Sequence, residues 1–261
     1  MGLYAFAAYR RIIFCAGKKV EDKMKFSVIT VCFNSEKTIR RTFESVLNQT
    51  FADYEYIVVD GASKDGTLDV IKEYEPKFEG RMRWISEPDK GIYDAMNKGI
   101  AMAQGEIIGI VNSDDWYETD ALEKVALKSF TKADVYYGMV RNVDANEQEI
   151  GIIRNHHNFV ESCGLHHPGC FATREIYDKY GSYSMQYRVF ADYEWMLRLF
   201  RAGAVFCPVD DILTNFTLGG ISSQTPGYEM FAIRYQYGIT SKFWYYLEVM
   251  VEFFLKKVLK R

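Results

Sequence analysis

The first half of the chain alternates short, β-branched apolar runs with segments of helical periodicity. Runs of this length and composition are typical of buried strands. Four of them occupy residues 26–33, 54–59, 82–86 and 106–112. Because a helix between two strands returns the chain to the same end of a sheet, the alternation predicts parallel strands with helices on both faces. We therefore expect an α/β fold built on a doubly wound sheet.

Carboxylates stand where two of these strands end. Asp60 follows the second strand, and Asp114 and Asp115 follow the fourth. Open α/β sheets bind ligands outside the carboxyl ends of their strands. Two adjacent carboxylates are costly there without a positive partner, and Mg²⁺ takes carboxylate and phosphate oxygens as ligands. The pattern predicts a metal–diphosphate site at Asp114 and Asp115, although these residues taken alone also suit a turn before a helix.

The loops that follow the strands are expected to shape the same site. Residues 61–67 are small and polar, which lets the backbone approach a ligand closely. The loop over residues 87–91 precedes a helix predicted over residues 92–104, with Gly105 as its C-terminal cap.

The second half of the chain is less regular. Its predicted elements are helices over 119–130, 174–180 and 190–202, strands over 134–139, 204–208 and 212–218, and a hairpin over 141–154. Asp192 falls in the first turn of the third of these helices. A carboxylate at that position either stabilises the helix end or serves as a base, and the residues alone leave both readings open.

Composition and loop chemistry exclude several classes of protein. A net charge of −3 gives no basic field for nucleic acid. The five cysteines form no CxxC pair, so neither a zinc site nor a disulfide framework is indicated, and a reducing cytosol fits best. The loop after the first strand, residues 34–37, contains no glycine. That loop lacks the glycine-rich sequence of a dinucleotide dehydrogenase or a nucleotidyltransferase.

Both ends of the chain differ from the middle. Residues 1–23 read as an N-terminal extension, either non-native or an interfacial helix, and residues 221–261 as an amphipathic helical tail. The tail's polar side chains form one stripe, and its end is basic: Glu248, Glu252, Lys256, Lys257, Lys260 and Arg261. This pattern predicts a helix lying on an anionic membrane surface. Docking on the domain or on the partner of a homodimer is the alternative.

Five segments of the sequence resemble the family 2 inverting glycosyltransferases of the GT-A fold. They are FSVITVCFNSEKTIRRTFESVLNQTF, YIVVDGASKDGT, SEPDKGIYDAMNKGIAMAQGEIIGIVNSDDW, HHPGCFATREIY and ADYEWMLRL. The third segment is the most specific, and it looks most like bacterial enzymes that build exopolysaccharide or O-antigen chains. The resemblance implies a Rossmann-like α/β catalytic domain over residues 24–220 with a mixed central sheet. Its donor half would cover about 24–140 and its acceptor half about 141–220.

The resemblance also implies roles for single residues. Those expected to bind the donor are Thr30, Cys32, Asn34, Asp60, Lys90, Gly91, Asp94, Asn97 and Asp114. Asp115 matches the direct ligand of a Mg²⁺ or Mn²⁺ ion, and Asp192 matches the catalytic base. His167 matches a position beside the acceptor or the diphosphate. Many relatives carry Glu-Asp where this chain has Ala191-Asp192. Because of this departure, Glu194 is a further candidate beside the acceptor or the diphosphate.

The activity implied is the transfer of a sugar from a nucleotide diphosphate-sugar, with a UDP-hexose or UDP-N-acetylhexosamine as the usual donor. The acceptor expected is a hydroxyl of a lipid-linked or growing cell-surface glycan. Such an enzyme would work in the cytoplasm, peripherally on the inner face of the cell membrane. The alternative is a catalytically inactive, saccharide-binding or scaffold subunit that keeps the fold. The presence of both Asp115 and Asp192 favours the enzyme.

Overall fold

The computed structural model describes residues 25–162, 164–220 and 227–259. The predicted extension over residues 1–23 lies outside this part, as do residues 221–226 and 260–261 of the predicted tail.

The described residues form nine strands and eight α-helices, joined by short loops and 3₁₀ turns. The strands are β1 Phe26–Cys32, β2 Tyr54–Asp60, β3 Met82–Ser86, β4 Ile107–Ile110, β5 Trp116–Tyr117, β6 Val135–Val143, β7 Glu149–Ile153, β8 Cys170–Thr173 and β9 Phe206–Thr217. The helices are α1 Ile39–Leu47, α2 Thr67–Tyr74, α3 Ile92–Met102, α4 Ala121–Lys128, α5 Arg174–Tyr180, α6 Ala191–Arg201, α7 Tyr228–Gln236 and α8 Lys242–Leu259.

The strands build one mixed sheet in the order β3-β2-β1-β4-β8-β6-β9-β5, with β7 paired to β6. The first four strands of the chain run parallel, as the alternation of strand and helix predicts. β8 is antiparallel to both β4 and β6, whereas β9 is parallel to β6. The predicted hairpin is confirmed as the antiparallel pair β6 and β7.

Apolar side chains cover both faces of the sheet. Along β1, Ile29 and Val31 pack into one core with α3 and α6, whereas Phe26 and Val28 pack into the other with α1, α2 and α4. β2 is buried along its whole length. Burial on both faces explains why apolar residues in β1 and β2 occupy adjacent positions rather than every second one.

Three boundaries differ from the sequence prediction. Gly105 does not cap α3, because the helix ends at Met102 with Ala103 as its cap. Gly105 instead packs so closely on the backbone of Phe26 and Ser27 that a side chain has no room. The two predicted strands over 204–218 are the single strand β9, which absorbs its irregularity in register shifts opposite residues 137–140. The sequence also predicts a helix that is capped by Asn34 or Ser35 and runs to about Gln49; this helix is α1, which starts later, at Ile39.

The C-terminal tail contains two helices instead of one. α7 buries Ile233, and the ring of Tyr235 stacks on that of Tyr245 in α8 with centroids 5.3 Å apart. Among the described residues, no helix combines the length and the apolar character that crossing a membrane requires.

Candidate active site

One edge of the sheet gathers most of the residues predicted to act. Parallel β2, β1 and β4 all end there. The start of β8 lies at the same edge, because β8 is antiparallel to β4, with Phe171 opposite Gly109. We call this the carboxyl edge, and it comprises the residues that directly follow β1, β2, β3 and β4 and those that precede β8.

Asp60 is the buried anchor of this edge. Its Oδ2 atom accepts hydrogen bonds from the backbone N–H of Ser63 at 3.0 Å and from the hydroxyl of Ser86 at 2.7 Å. The hydroxyl of Ser63 donates to its Oδ1 atom. Burial, followed by the negative charge of Asp60, raises the pKa of the Cys32 thiol, which lies 3.7 Å from Oδ1. The Asp60 carboxylate thus joins the ends of β2 and β3 to the loop after β2.

The loop after β1 lies beside this anchor. Asn34 is exposed and has a φ of +51°, a left-handed conformation that asparagine tolerates. Its side-chain oxygen accepts the N–H of Lys64 at 2.8 Å. The neighbouring residue Phe33 is 61% exposed, and the sequence analysis did not identify it as a candidate site residue. Thr30, by contrast, lies inside β1, fully buried, with its hydroxyl accepting from Tyr56 at 2.8 Å. The structure therefore does not bring Thr30 to the site.

The loop between β3 and α3 closes over the same region. Asp89 accepts the N–H of Gly91 at 2.8 Å and packs against Gly61, where a side chain would collide with it. Gly91 has a φ of +120°, a conformation that favours glycine. Asp94 accepts the N–H of Lys90 at 3.1 Å. Lys90 and Gly91 are both exposed in this loop.

Asn97 joins α3 to the segment between α5 and α6 through two hydrogen bonds. Its amide nitrogen donates to the carbonyl of Tyr183 at 2.9 Å, and its amide oxygen accepts the N–H of Tyr183 at 3.0 Å. Because both ends of the amide are used in this way, Asn97 fixes the segment before α6 instead of facing a ligand.

Asp114 and Asp115 follow β4 and differ in exposure. Asp115 is completely buried, and its Oδ1 atom accepts the N–H of Thr217 at 2.9 Å. Its Oδ2 atom accepts from the amide nitrogen of Asn112 at 3.2 Å. The Asp114 side chain is half-buried. Burial raises the pKa of both carboxyls, that of Asp115 well above its usual value, with the charge of Asp114 adding to the effect on Asp115.

These residues fit a hard divalent cation. The side-chain oxygen of Asn112 is buried beside Asp115 and has no hydrogen-bond partner. Mg²⁺ and Mn²⁺ prefer oxygen ligands, and this loop offers two carboxylates and one unpartnered amide oxygen. A cation would also offset the cost of ionising the two buried carboxyls. Within residues 25–162, 164–220 and 227–259, no group of three or more His, Cys, Asp and Glu side chains is gathered. Phosphate oxygens of a bound substrate would complete such a coordination shell.

Arg41 supports this loop, a role that the sequence did not reveal. Its guanidinium carbon lies 3.6 Å from the ring centroid of Trp116. It also donates to the carbonyl oxygen of Asp114 at 2.8 Å and pairs with Glu147 in the turn of the β6–β7 hairpin at 2.7 Å. Asp114 and Glu147 lie 73 and 106 residues after Arg41 in the chain, so no local sequence pattern could reveal these contacts.

Asp192 reaches the site from the first turn of α6. The hydroxyl of Tyr93, in the first turn of α3, donates to its Oδ1 atom at 2.8 Å and also contacts the carbonyl of Val189. Burial and the charge of Asp192 raise the pKa of Tyr93 well above its usual value, which keeps the phenol protonated as a donor. Since α3 begins directly after the loop at the carboxyl edge, this hydrogen bond places Asp192 at that edge.

His167 lies close to Asp192, whereas Glu194 does not join it. Burial lowers the pKa of His167, and the charge of Asp192 opposes that shift. The buried carboxylate of Glu194 instead pairs with Arg198 at 3.1 Å and accepts from the hydroxyl of Tyr237 at 2.6 Å. Glu194 therefore joins α6 to the C-terminal segment through Tyr237.

The model of the family described as "Glycosyl transferase family 2" matches residues 27–204. The chain belongs to this family. A glycosyltransferase of Mycobacterium bovis named for PGL/p-HBAD biosynthesis is 31% identical over 178 residues, which are 67% of this chain and 69% of that protein. The glycosyltransferase character expected from the sequence is thereby confirmed.

Solved structures confirm the expected GT-A fold. Residues 1–349 of S. aureus TarS, in complex with UDP-GlcNAc, match with a TM-score of 0.67 and 20% identity over 80% of this chain. The mannosyltransferase PcManGT of Pyrobaculum calidifontis, in complex with GDP-Man and Mn²⁺, matches with a TM-score of 0.60 and 18% identity over 89% of this chain. This chain spans 64% of that TarS fragment, 67% of PcManGT and 38% of a longer TarS chain.

Proposed function

We propose that this family 2 glycosyltransferase moves a sugar from a UDP-hexose or UDP-N-acetylhexosamine to a hydroxyl of a lipid-linked or growing cell-surface glycan. One observation carries the proposal. The Tyr93 hydroxyl holds Asp192 at the edge of the sheet where Asp60, Asp114 and Asp115 also lie. A nucleotide-diphosphate site and a base would thus share one edge.

The donor would lie along the carboxyl edge. The exposed ring of Phe33 offers a stacking surface for the base beside the Asp60 anchor. The loop around Lys90 and Gly91 would cover the ribose and the phosphates. The complexes named above support a nucleotide-sugar ligand, since TarS was solved with UDP-GlcNAc and PcManGT with GDP-Man.

Asp114, Asp115 and the amide oxygen of Asn112 would hold a Mg²⁺ or Mn²⁺ ion against the diphosphate. When bound, the ion supplies positive charge that stabilises the leaving nucleoside diphosphate. Asp114 has the accessible carboxylate, whereas both oxygens of Asp115 already accept hydrogen bonds within the protein. We therefore propose that Asp114 would contact the diphosphate–metal unit from its accessible side. Asp115 would hold the ion from the buried side, because each carboxylate oxygen keeps a lone pair beyond the one hydrogen bond that it accepts.

Asp192 would take the proton of the acceptor hydroxyl as that oxygen attacks the anomeric carbon. The bond from the anomeric carbon to the diphosphate breaks in the same displacement, so the configuration inverts. His167 would lie on the acceptor side, where burial lowers the pKa of its imidazole and the charge of Asp192 opposes that shift. The Tyr93 hydrogen bond orients the carboxylate without protonating it, because the pKa of the phenol is raised.

Substitution of Asp192 by Asn tests this assignment. The account predicts loss of glycosyl transfer by about 10²- to 10⁴-fold, the usual contribution of a general base, with donor binding unchanged. Asp178→Asn is the matched control, because Asp178 is an exposed carboxylate on α5. Transfer by the Asp192→Asn protein at the parent's rate would overturn the base assignment. Absence of transfer in the parent with every donor would favour the inactive scaffold instead.

The exposed face of α8 supports a peripheral position on the membrane. Five large apolar residues in its described part are about half exposed or more: Phe243, Trp244, Tyr246, Met250 and Val251. Arg234 pairs with Glu248 at 3.3 Å and joins the polar side of α8 to α7. The basic end of the sequence would add attraction to anionic lipid on the inner face of the cell membrane.

Sedimentation with vesicles tests this position. The protein should sediment with phosphatidylglycerol vesicles more than with phosphatidylcholine vesicles, and Trp244→Glu should reduce the bound fraction severalfold. Phe130→Glu is the control, since Phe130 is 77% exposed but lies after α4. Equal binding by parent and Trp244→Glu, or a Trp244-dependent dimer without vesicle binding, would contradict the membrane assignment.

A further inference from the structure

Glu229, in the first turn of α7, binds the stretch of chain that leads into α6. Its carboxylate accepts the backbone N–H of Arg188 at 2.9 and 3.0 Å, that of Val189 at 2.9 Å and that of Phe190 at 3.2 Å. Three consecutive amides therefore converge on one side chain that is about 40 residues further along the chain.

The last of these amides, that of Phe190, belongs to the N-terminal end of α6, and the other two directly precede it. Phe190 is the N-cap residue, and its carbonyl accepts the N–H of Glu194 at 3.0 Å. The N–H groups at a helix start lack partners within the helix, and a negative charge is favoured there. The N-cap residue makes no side-chain capping hydrogen bond, and Glu229 from α7 places a carboxylate at this helix start by accepting the N–H of Phe190.

The stretch that Glu229 holds also carries Asp192. Tyr93 contacts the carbonyl of Val189 and the Oδ1 atom of Asp192 with one hydroxyl. Two side chains from different parts of the chain thus fix residues 188–192, one through their N–H groups and one through their oxygens. A displacement of a reacting group by about 1 Å can lower a rate by about 10²-fold.

We propose that Glu229 is a positioning residue, which sets the place of Asp192 by holding the N-terminal end of α6. This inference rests on the proposed role of Asp192 as the base. Glu229 touches neither donor nor acceptor in this account. Its loss should therefore lower kcat while the donor KM and the affinity for nucleotide stay unchanged.

A purely structural role would only keep α7 attached to the domain. α7 has a second tie to the same loop, because the hydroxyl of Tyr187 donates to the side-chain oxygen of Gln236 at 2.8 Å. This contact reaches a side chain rather than the backbone that leads into α6. Gln236→Ala is therefore the matched control, which loosens α7 without freeing the amides of residues 188–190.

The experiment compares the parent with Glu229→Gln, Gln236→Ala and Asp192→Asn. Release of nucleoside diphosphate is followed with UDP-N-acetylglucosamine or GDP-mannose, whichever nucleotide the parent binds. Glu229→Gln keeps the size of the side chain but removes the charge and one acceptor oxygen. We expect kcat to fall tenfold or more in Glu229→Gln and less than twofold in Gln236→Ala, with the donor KM of each within twofold of the parent's.

Unchanged kcat in folded Glu229→Gln would overturn the proposal, and so would an equal fall in Gln236→Ala. If Asp192→Asn keeps the parent's rate, the proposed function fails first and leaves Glu229 no base to position. If Glu229→Gln does not fold, Glu229→Asp replaces it in the test, because aspartate keeps the charge but its shorter side chain draws the carboxylate away from the three amides. A lowered kcat at unchanged donor KM supports the proposal, and a parental kcat overturns it.

Discussion

The proposed donor half and the proposed acceptor half place their candidate functional side chains by different means. In the donor half, Asp60 ends a parallel strand, and Asp114 and Asp115 lie in the short loop after another, so the sheet itself brings them to one edge. In the acceptor half, Asp192 begins a helix whose position depends on Tyr93 and Glu229, which lie about 100 residues before it and about 40 after it. The first arrangement is fixed by local secondary structure, and the second by single side-chain contacts.

This difference implies that the two halves respond differently to substitution. Removing one hydrogen bond in the acceptor half should impair catalysis out of proportion to its effect on stability. In the donor half, a supporting contact should alter affinity for the donor, because the strands keep the carboxylates in place.

The largest effect of this kind is expected for Tyr93→Phe, which removes the hydrogen bond between the halves. The fold should lose about 1 kcal/mol of stability, the usual net contribution of one hydrogen bond. The kcat of transfer should fall by about tenfold, because Asp192 loses its orienting partner. Steady-state kinetics and thermal unfolding measure the two effects.

Tyr136→Phe is the control for this substitution. Its hydroxyl donates to the carbonyl of Ser129 at 3.2 Å, away from the carboxyl edge. It should lose similar stability and keep its kcat. Similar kcat values for the two variants would show that Asp192 does not depend on the contact with Tyr93.

A smaller effect is expected for Arg41→Lys in the donor half. Lysine cannot stack its charge over Trp116 as a planar guanidinium does, nor bond Asp114 and Glu147 at once. The loop that carries the two aspartates should loosen, and the donor KM should rise by about three- to tenfold at a kcat close to the parent's.

Arg40→Lys provides the comparison on the same helix. Arg40 pairs with Glu73 at 2.6 Å on the surface, where such pairs contribute little. Both kinetic constants should stay at the parent's values. A fall in kcat alone for Arg41→Lys would break the distinction between the halves.

Sequence reasoning succeeded where structure is local. The four parallel strands and the carboxylates after them follow from runs of apolar residues and their polar ends. It failed where contacts connect distant segments. Nothing near Arg41, Tyr93 or Glu229 in the sequence shows that they contact Asp114, Asp192 or the start of α6.

Two single-residue expectations, one from the local pattern and one from the family resemblance, differ from where the structure places the residue. Gly105 looks like a helix cap, but its lack of a side chain serves the close approach of Phe26. Thr30 was expected near the donor, yet the pleat of β1 turns its hydroxyl inward to Tyr56. Both outcomes depend on neighbouring strands that the local pattern does not specify.

Calorimetric titration with UDP, GDP, CDP and dTDP, each with Mn²⁺, Mg²⁺ or EDTA, tests the central claim most directly. It is run on the parent, Asp115→Asn and Asp192→Asn. The account predicts that the parent binds one nucleotide with metal and far more weakly with EDTA. Asp192→Asn should bind like the parent, whereas Asp115→Asn should lose the metal-dependent part. Binding that is indifferent to metal and to Asp115, or no binding by the folded parent, would contradict a nucleotide-diphosphate site at the carboxyl edge.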